Sequence, residues 1–129
     1  MENRKLLALV FLSGALAVML GAFGAHGLKP YLDETGMSNY QTANRYHFFH
    51  TLLSLFYLVW APSSKVVFRA VCECLFGIIL FSGSLYILSL RSHFQFIPSW
   101  IGAITPFGGL FFIIAWLEGA YFALKKLKN

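Results

Sequence analysis

Apolar residues occupy four long stretches of the chain, and short polar segments separate them. The first stretch is uncharged from Leu6 to Ala25, which is about the 20 residues that a helix needs to cross a bilayer. The pattern predicts four membrane spans, at 6–27, 40–61, 66–90 and 99–124. We therefore expect an all-α, integral membrane four-helix bundle made of a single transmembrane domain, residues 1–129. A signal peptide is the alternative for the first stretch, because Arg4 and Lys5 precede an apolar run with small residues.

Local motifs indicate where the second and fourth helices begin. The sequence SNYQ at 38–41 has the spacing of a capping box, which predicts a helix start near Asn39. The fourth stretch contains Thr105 and Pro106, and proline disrupts regular helical hydrogen bonding. This helix is either kinked at Pro106 or capped by Thr105 and begun at Pro106. We favour a kinked helix that starts near Ser99.

The second helix is predicted to have a polar face and a lipid face. Its polar residues fall within about one third of a helical wheel, and they are Asn44, His47, His50, Thr51 and Ser54. Polar groups in the hydrocarbon region cost several kcal/mol unless they are hydrogen-bonded, so this face should point into the bundle. Arg45 projects from the lipid face, and we expect it to reach the lipid headgroups.

Small residues form a ridge on the first helix. They recur every four positions, as Ser13, Ala17, Gly21 and Ala25. Such ridges allow helices to approach closely in lipid. The ridge is interpreted as a packing surface, with a thin-walled passage for a small solute as the alternative.

Four polar residues from different helices are predicted to share one layer in the outer half of the bundle, namely His26, His50, Tyr86 and Thr105. Histidine titrates near physiological pH, so this layer is a candidate ligand- or proton-binding site. A hydrogen-bonded structural network is the alternative. His47 and His50, spaced i, i+3, could bind a metal together with His26. A metal site needs further ligands, and no Cys, Asp or Glu is expected nearby. We expect no metal and no cofactor.

Two acidic residues lie within predicted spans. Glu73 follows Arg69 by four residues, so an ion pair within the helix is available. Glu118 lies about two turns before Lys125. An ionisable residue inside the membrane is a functional candidate by default, and pairing with a basic residue at the interface is the simpler interpretation.

Composition supports a membrane protein. Hydrophobic residues make up 58% of the chain and charged residues 12%, against roughly 25% charged residues in a typical soluble domain. The net charge of +5 comes from Lys and Arg near helix ends rather than from a basic stripe, so we expect membrane lipid and no nucleic acid as a partner. Cys72 and Cys74 are too close in sequence for a good disulfide and are interpreted as packing residues.

Basic residues also predict the orientation, because an even number of spans places both termini on one side. The side of the termini would carry Arg4, Lys5, Lys65, Arg69, Lys125, Lys126 and Lys128. The other side would carry Lys29, Arg45 and Arg91. By the positive-inside rule, both termini are expected to be cytoplasmic.

Four motifs in order make the chain resemble the membrane-protein family known as domain of unknown function 423. They are GAFGAHGL at 21–28, TANRYHFFH at 42–50, FSGSLY at 81–86 and TPFGG at 105–109. The resemblance covers nearly the whole chain and implies a four-span bacterial inner-membrane protein with no established activity. The residues that match the family are Gly21, Gly24, His26, Gly27, Ala43, Tyr46, His50, Ser82, Gly83, Ser84, Tyr86, Thr105, Pro106, Gly108 and Gly109.

The resemblance adds Tyr46 to the candidate ligand-binding residues and leaves His47 outside the family pattern. Family members often have Gly-Trp late in the fourth helix, where this chain has Ala115 and Trp116.

Two functions follow as hypotheses. The first is a binding or passage site for a proton or small solute around His26 and His50, in a homo-oligomer. The alternative is a non-catalytic accessory or assembly protein that docks a larger membrane complex through the small-residue ridge. Hydrolase, phosphate-loop and metalloprotease motifs are absent from the sequence, so an enzyme is the least favoured class and no catalytic residue is assigned.

Overall fold

The computed structural model describes residues 2–62 and 64–126, and within these ranges it contains helices and no strand. Four long helices follow one another along the chain. The first is Glu2–His26, the second Glu34–Trp60, the third Lys65–Ser89 and the fourth Thr105–Lys126. Short 3₁₀ turns at Lys29–Tyr31 and Ser99–Ala103 precede the second and fourth helices. The expected all-α architecture with four helices is confirmed.

Three helical segments are long and apolar enough to cross a membrane, at Arg4–His26, Lys65–Ser89 and Ser99–Lys125. The second helix is not among them, because its polar face lowers its apolar character. The four-span count and the cytoplasmic termini therefore stay predictions. Residue 1, residues 127–129 of the predicted domain and Lys128 of the charge count lie outside the described residues.

The second helix begins earlier than expected. Its first residue is Glu34, and the Asp33 carboxylate caps it by accepting a hydrogen bond from the Gly36 N–H at 2.7 Å. The capping-box prediction at 38–41 is wrong. Those residues lie inside the helix, and Asp33 satisfies an N–H group at the true terminus.

The fourth helix begins at the Thr-Pro pair. Residues 99–103 form a 3₁₀ turn, and regular α-helix starts at Thr105. The favoured prediction, one kinked α-helix that starts near Ser99, is therefore wrong. The segment consists of a 3₁₀ turn followed by an α-helix. Pro106 occupies the first turn, where its missing N–H removes no helical hydrogen bond.

The third helix contains a π-helical segment at Ile78–Ser82, between α-helical parts Lys65–Gly77 and Gly83–Ser89. In this segment the Gly83 N–H reaches back five residues to the Ile78 carbonyl. The fourth helix crosses here, and Gly108 packs directly against the Phe81 backbone. A Cβ atom added at Gly108 would lie 2.7 Å from the Cβ of Phe81, so this crossing requires glycine.

Neighbouring helices in the sequence pack against one another: first on second, second on third, and third on fourth. We call the end of the bundle that holds both chain termini the terminal end, and the opposite end the loop end. The first helix packs mainly against the second and is largely exposed elsewhere. Aromatic side chains of the fourth helix fill the space towards the second helix, where His50 stacks on Phe112.

Candidate functional site

A hydrogen-bonded network of side chains surrounds His47, which is only 2% exposed. Its Nε2 lies 3.1 Å from the Ser13 hydroxyl of the first helix, and its Nδ1 lies 3.4 Å from the Tyr86 hydroxyl of the third. Ser13 also lies 3.0 Å from the Thr51 hydroxyl. Asn44 donates through Nδ2 to the Tyr86 hydroxyl at 3.0 Å. We call these five side chains the His47 network.

The contacts assign a direction to each hydrogen bond of the network. The Thr51 hydroxyl donates to the His47 carbonyl at 2.9 Å, so it accepts from Ser13. Ser13 has then used its only proton and accepts from His47, which places the ring proton on Nε2. The Nδ1 atom is left to accept from Tyr86. All bonds of the network form together in this tautomer.

The Ser13–His47 contact contains the atoms of a nucleophile–base pair, but its proton runs in the wrong direction. A general base would accept the serine proton at Nε2, whereas here Nε2 donates and the serine proton goes to Thr51. No carboxylate within the described residues contacts the ring. This geometry does not assign catalysis to the pair.

The small-residue ridge faces this network rather than the lipid. Ala17 is buried and its carbonyl accepts from Asn44 at 2.7 Å, while a Cβ at Gly21 would lie 2.9 Å from the Asn44 side chain. Ser13 belongs to the network, and only Ala25 is exposed. The ridge therefore packs inside the protein, as its interpretation as a packing surface expects.

A cavity of about 280 Å³ opens beside the network, towards the loop end. It lies between the first and second helices, and its lining includes Gly21, Gly24, Tyr40, Gln41 and Asn44. The Asn44 amide is thus shared by the cavity and the network. We call this cavity the vestibule.

His50 lies in a separate environment. It is 4% exposed, and its ring stacks on Phe112 with centroids 3.5 Å apart. Its Nδ1 donates to the Tyr46 carbonyl at 2.8 Å, and its Nε2 accepts from the Trp116 indole N–H at 3.3 Å. Both ring nitrogens are therefore occupied, and the Nδ1 proton is held by a main-chain group.

The structure does not assemble the predicted layer. His26 is exposed at the loop end, whereas Thr51, the neighbour of His50, contacts Ser13, 13 residues earlier in the first helix. At 1.5 Å per residue, the two histidines are separated by roughly 20 Å along the helix axis. Thr105 bonds the Ser84 hydroxyl at 2.6 Å instead. Of the predicted layer, Tyr86 joins the His47 network, and Tyr46 stacks beside His50 with centroids 5.9 Å apart.

The polar face of the second helix is confirmed as a buried face, and it continues towards the terminal end. From Thr51 of the network towards the terminal end, the hydroxyls of Thr51, Ser54 and Tyr57 all donate to main-chain carbonyls. These carbonyls belong to His47, His50 and Ala115. A carbonyl cannot pass a proton onward as a hydroxyl does, so these bonds do not form a continuous path.

The two acidic residues share one arginine near the terminal end. Arg69 pairs with Glu118 of the fourth helix and lies 3.9 Å from Glu73 of its own helix. The expected pairing of Glu118 with a basic residue is confirmed, with Arg69 rather than Lys125 as the described partner. The second oxygen of each carboxylate is buried without a hydrogen-bond partner among the described residues. Across those residues, no group of three or more potential metal ligands occurs.

One sequence pattern points to the contact between His47 and the first helix, although it was not part of the predicted layer. His47 shares the polar face with Asn44 and Thr51, and Ser13 is the only polar member of the ridge on the preceding helix. Two adjacent antiparallel helices with matching polar positions favour a contact between them.

Comparison with known proteins identifies relatives that are membrane proteins. Residues 20–109 match the family described as "Protein of unknown function (DUF423)". A "UPF0382 membrane protein" of Haemophilus influenzae is 40% identical over 127 residues, which are 98% of each chain. The "UPF0382 membrane protein YwdK" of Bacillus subtilis is 39% identical, over 90% of this chain and 93% of its own.

The "UPF0382 inner membrane protein YgdD" of Escherichia coli is 37% identical over 119 residues, which are 90% of this chain and 86% of the relative. No solved structure matches the chain. The match to the family and the extent of these similarities lead to one conclusion: the chain belongs to the DUF423 family of membrane proteins.

Proposed function

We propose that this membrane protein has a one-sided binding site for a proton or a small hydrogen-bonding solute, centred on His47 and entered through the vestibule. The observation that supports it is the His47 network, in which a continuous chain of hydrogen bonds connects five side chains from three helices. The proposal keeps the chemistry expected from the sequence and moves its centre from His26 and His50 to His47.

Reversible hydrogen bonds distinguish His47 from His50. Both neighbours of the His47 ring are hydroxyl groups, on Ser13 and Tyr86, and a hydroxyl either donates or accepts. Uptake of a proton at Nδ1 requires the Tyr86 hydroxyl to rotate, so that its oxygen accepts from the ring as well as from Asn44 and its own proton turns to another acceptor. His50 donates to a main-chain carbonyl, which accepts only, so its tautomer is fixed.

The vestibule supplies the access that such a site needs. Asn44 lines it and donates to Tyr86, which in turn contacts His47. A water or a solute amide bound to Asn44 in the vestibule is thus joined to the imidazole by three hydrogen bonds, namely its own bond to Asn44, Asn44 to Tyr86, and Tyr86 to His47. On the predicted topology the vestibule opens to the outer side of the membrane, with both termini cytoplasmic.

Binding is favoured over passage. Beyond Thr51, the polar side chains donate to carbonyls, and nothing in that arrangement passes a proton to the Glu73–Glu118 pair. The accessory alternative has less support, because three of the four ridge residues pack against the second helix. We retain the proposal that the protein forms a homo-oligomer.

Nitrogen-15 NMR of histidine side chains in lipid nanodiscs tests the proposal. The neutral tautomers are expected to differ: His47 protonated on Nε2 and His50 on Nδ1. Lowering the pH, or adding a candidate solute, is expected to change the His47 signals before the His50 signals. The variant Tyr86→Phe should alter that response and leave the His50 signals as they are.

The matched control is Tyr31→Phe, at an exposed tyrosine of the loop end. It should behave as the wild type. The proposal fails if the two histidines respond together, if neither responds to any probe, or if the loss of the Tyr86 hydroxyl leaves the His47 response unchanged.

A further inference from the structure

A groove of about 680 Å³ runs along the outside of the bundle between the second and fourth helices. Its walls are mainly apolar and aromatic, and its lining includes Phe49, Leu52, Phe56 and Trp116. Arg45 lies at the end of the groove nearest the loop end. We call this feature the aromatic groove; it shares Arg45 with the vestibule but none of the five side chains of the His47 network.

The ring nitrogens of the two polar heterocycles that line the groove, His50 and Trp116, are already hydrogen-bonded. The Trp116 N–H donates to His50, and the second His50 nitrogen donates to the Tyr46 carbonyl. The His50 ring is covered by Phe112 on one face. An occupant therefore meets aromatic and aliphatic surface below Arg45, and a hydrocarbon chain satisfies that surface without leaving a buried polar group unpaired.

The charge at the loop-end mouth of the groove has no partner among the described side chains. Arg45 forms no hydrogen bond or ion pair within residues 4–62 and 64–125. A guanidinium that reaches the membrane surface is stabilised by an anion. Its planar group donates two parallel hydrogen bonds to a phosphate. The five acidic residues of the chain include none next to Arg45 in sequence.

The groove is long enough to hold an extended hydrocarbon segment. Arg45 and Phe56 are 11 residues apart on one helix, which is roughly 16 Å at 1.5 Å per residue. The next residue after Phe56, Tyr57, contacts Ala115 towards the terminal end, so the apolar walls extend from Arg45 towards that end. The long Arg45 side chain reaches in the opposite direction, towards the headgroups of the loop end.

From this combination we propose that the aromatic groove binds one anionic phospholipid, with an acyl chain along Phe49, Leu52 and Phe56 and the phosphate on Arg45. The site does not depend on the function proposed for His47. It requires only a charged headgroup and a hydrocarbon chain joined in one molecule.

Native mass spectrometry of the whole protein, titrated with phosphatidylglycerol or phosphatidylcholine of the same acyl chains, tests the site. Both lipids carry a phosphate, but the choline cation of phosphatidylcholine competes with Arg45 for it. The wild type is therefore expected to retain the anionic lipid about tenfold better, which is the size of one charge-assisted contact. Arg45→Gln should abolish this preference, and the matched control Lys29→Gln should keep it. Lys29 is an exposed basic residue of the same end of the bundle.

A second pair of variants tests the hydrocarbon part. Leu52→Trp fills the groove at a lipid-facing position and should reduce retention of both lipids, while Val18→Trp on the exposed face of the first helix should not. The proposal is overturned by equal retention of the two lipids, by a preference that survives Arg45→Gln, or by equal effects of the two tryptophan variants. Unchanged melting temperatures for all four variants would show that the fold is intact.

Discussion

Replacing Gly108 with alanine tests the closest approach between the third and fourth helices. The added Cβ would meet the Phe81 backbone nitrogen and would lie 2.8 Å from the Phe81 Cα. A main-chain obstacle cannot rotate away, so the helices must separate. We expect the cost of overpacking to lie near the upper end of its usual range, about 3 kcal/mol.

The net effect is smaller, because alanine is a better helix former than glycine by about 1 kcal/mol. We therefore expect Gly108→Ala to lower the free energy of unfolding by about 2 kcal/mol. The neighbouring Gly109→Ala is a matched control. Its Cβ would lie 3.6 Å from the Phe81 ring, an ordinary contact, so it should be neutral or stabilising by up to about 1 kcal/mol.

Steric trapping, with tags on both termini, measures the two free energies of unfolding in lipid bicelles. The third and fourth helices must come apart in that assay, so it reports on their crossing. Equal changes in Gly108→Ala and Gly109→Ala would refute the argument that backbone proximity, rather than general helix packing, requires glycine at the crossing.

Two further substitutions test other contacts. Tyr40→Phe removes the hydrogen bond from the tyrosine hydroxyl to the Leu20 carbonyl and should cost about 1 kcal/mol in the same assay, with the exposed Tyr31→Phe as its neutral control. Arg69→Gln leaves the largely buried Glu118 without its cation and should lower the melting temperature, and adding Glu118→Gln should restore part of the loss. A double variant no more stable than Arg69→Gln would contradict that pairing.

The sequence predicted the polar face of the second helix well, because period and burial are linked within one element. A helix with hydroxyls and imidazoles on one side must turn that side inward in lipid. His47, Thr51 and Ser54 are buried as expected, and Phe49 and Val59 are exposed on the opposite face. Nothing beyond the pattern of one helix is needed for that inference.

Contacts between helices were harder to predict. A layer of His26, His50, Tyr86 and Thr105 requires the four side chains to lie at the same depth and to face each other, and depth depends on where each helix begins. The second helix begins at Glu34, and its register against the first helix is set by side-chain packing. Neither quantity leaves a clear signal in a single sequence.

The π-helical segment has a consequence for how relatives of different length should be aligned. The π turn holds one residue more than an ordinary α-helical turn. A chain with one residue fewer between Gly77 and Gly83 would therefore continue as ordinary α-helix with its loop-end half facing nearly the same way, and its counterpart of Tyr86 would still face His47. A chain of the same length without the π turn would have that half out of register by one residue, about 100°, which carries Tyr86 away from His47. Two such chains of equal length would have the same hydropathy profile and different internal chemistry, and the His47 tautomer would report which of them builds the network.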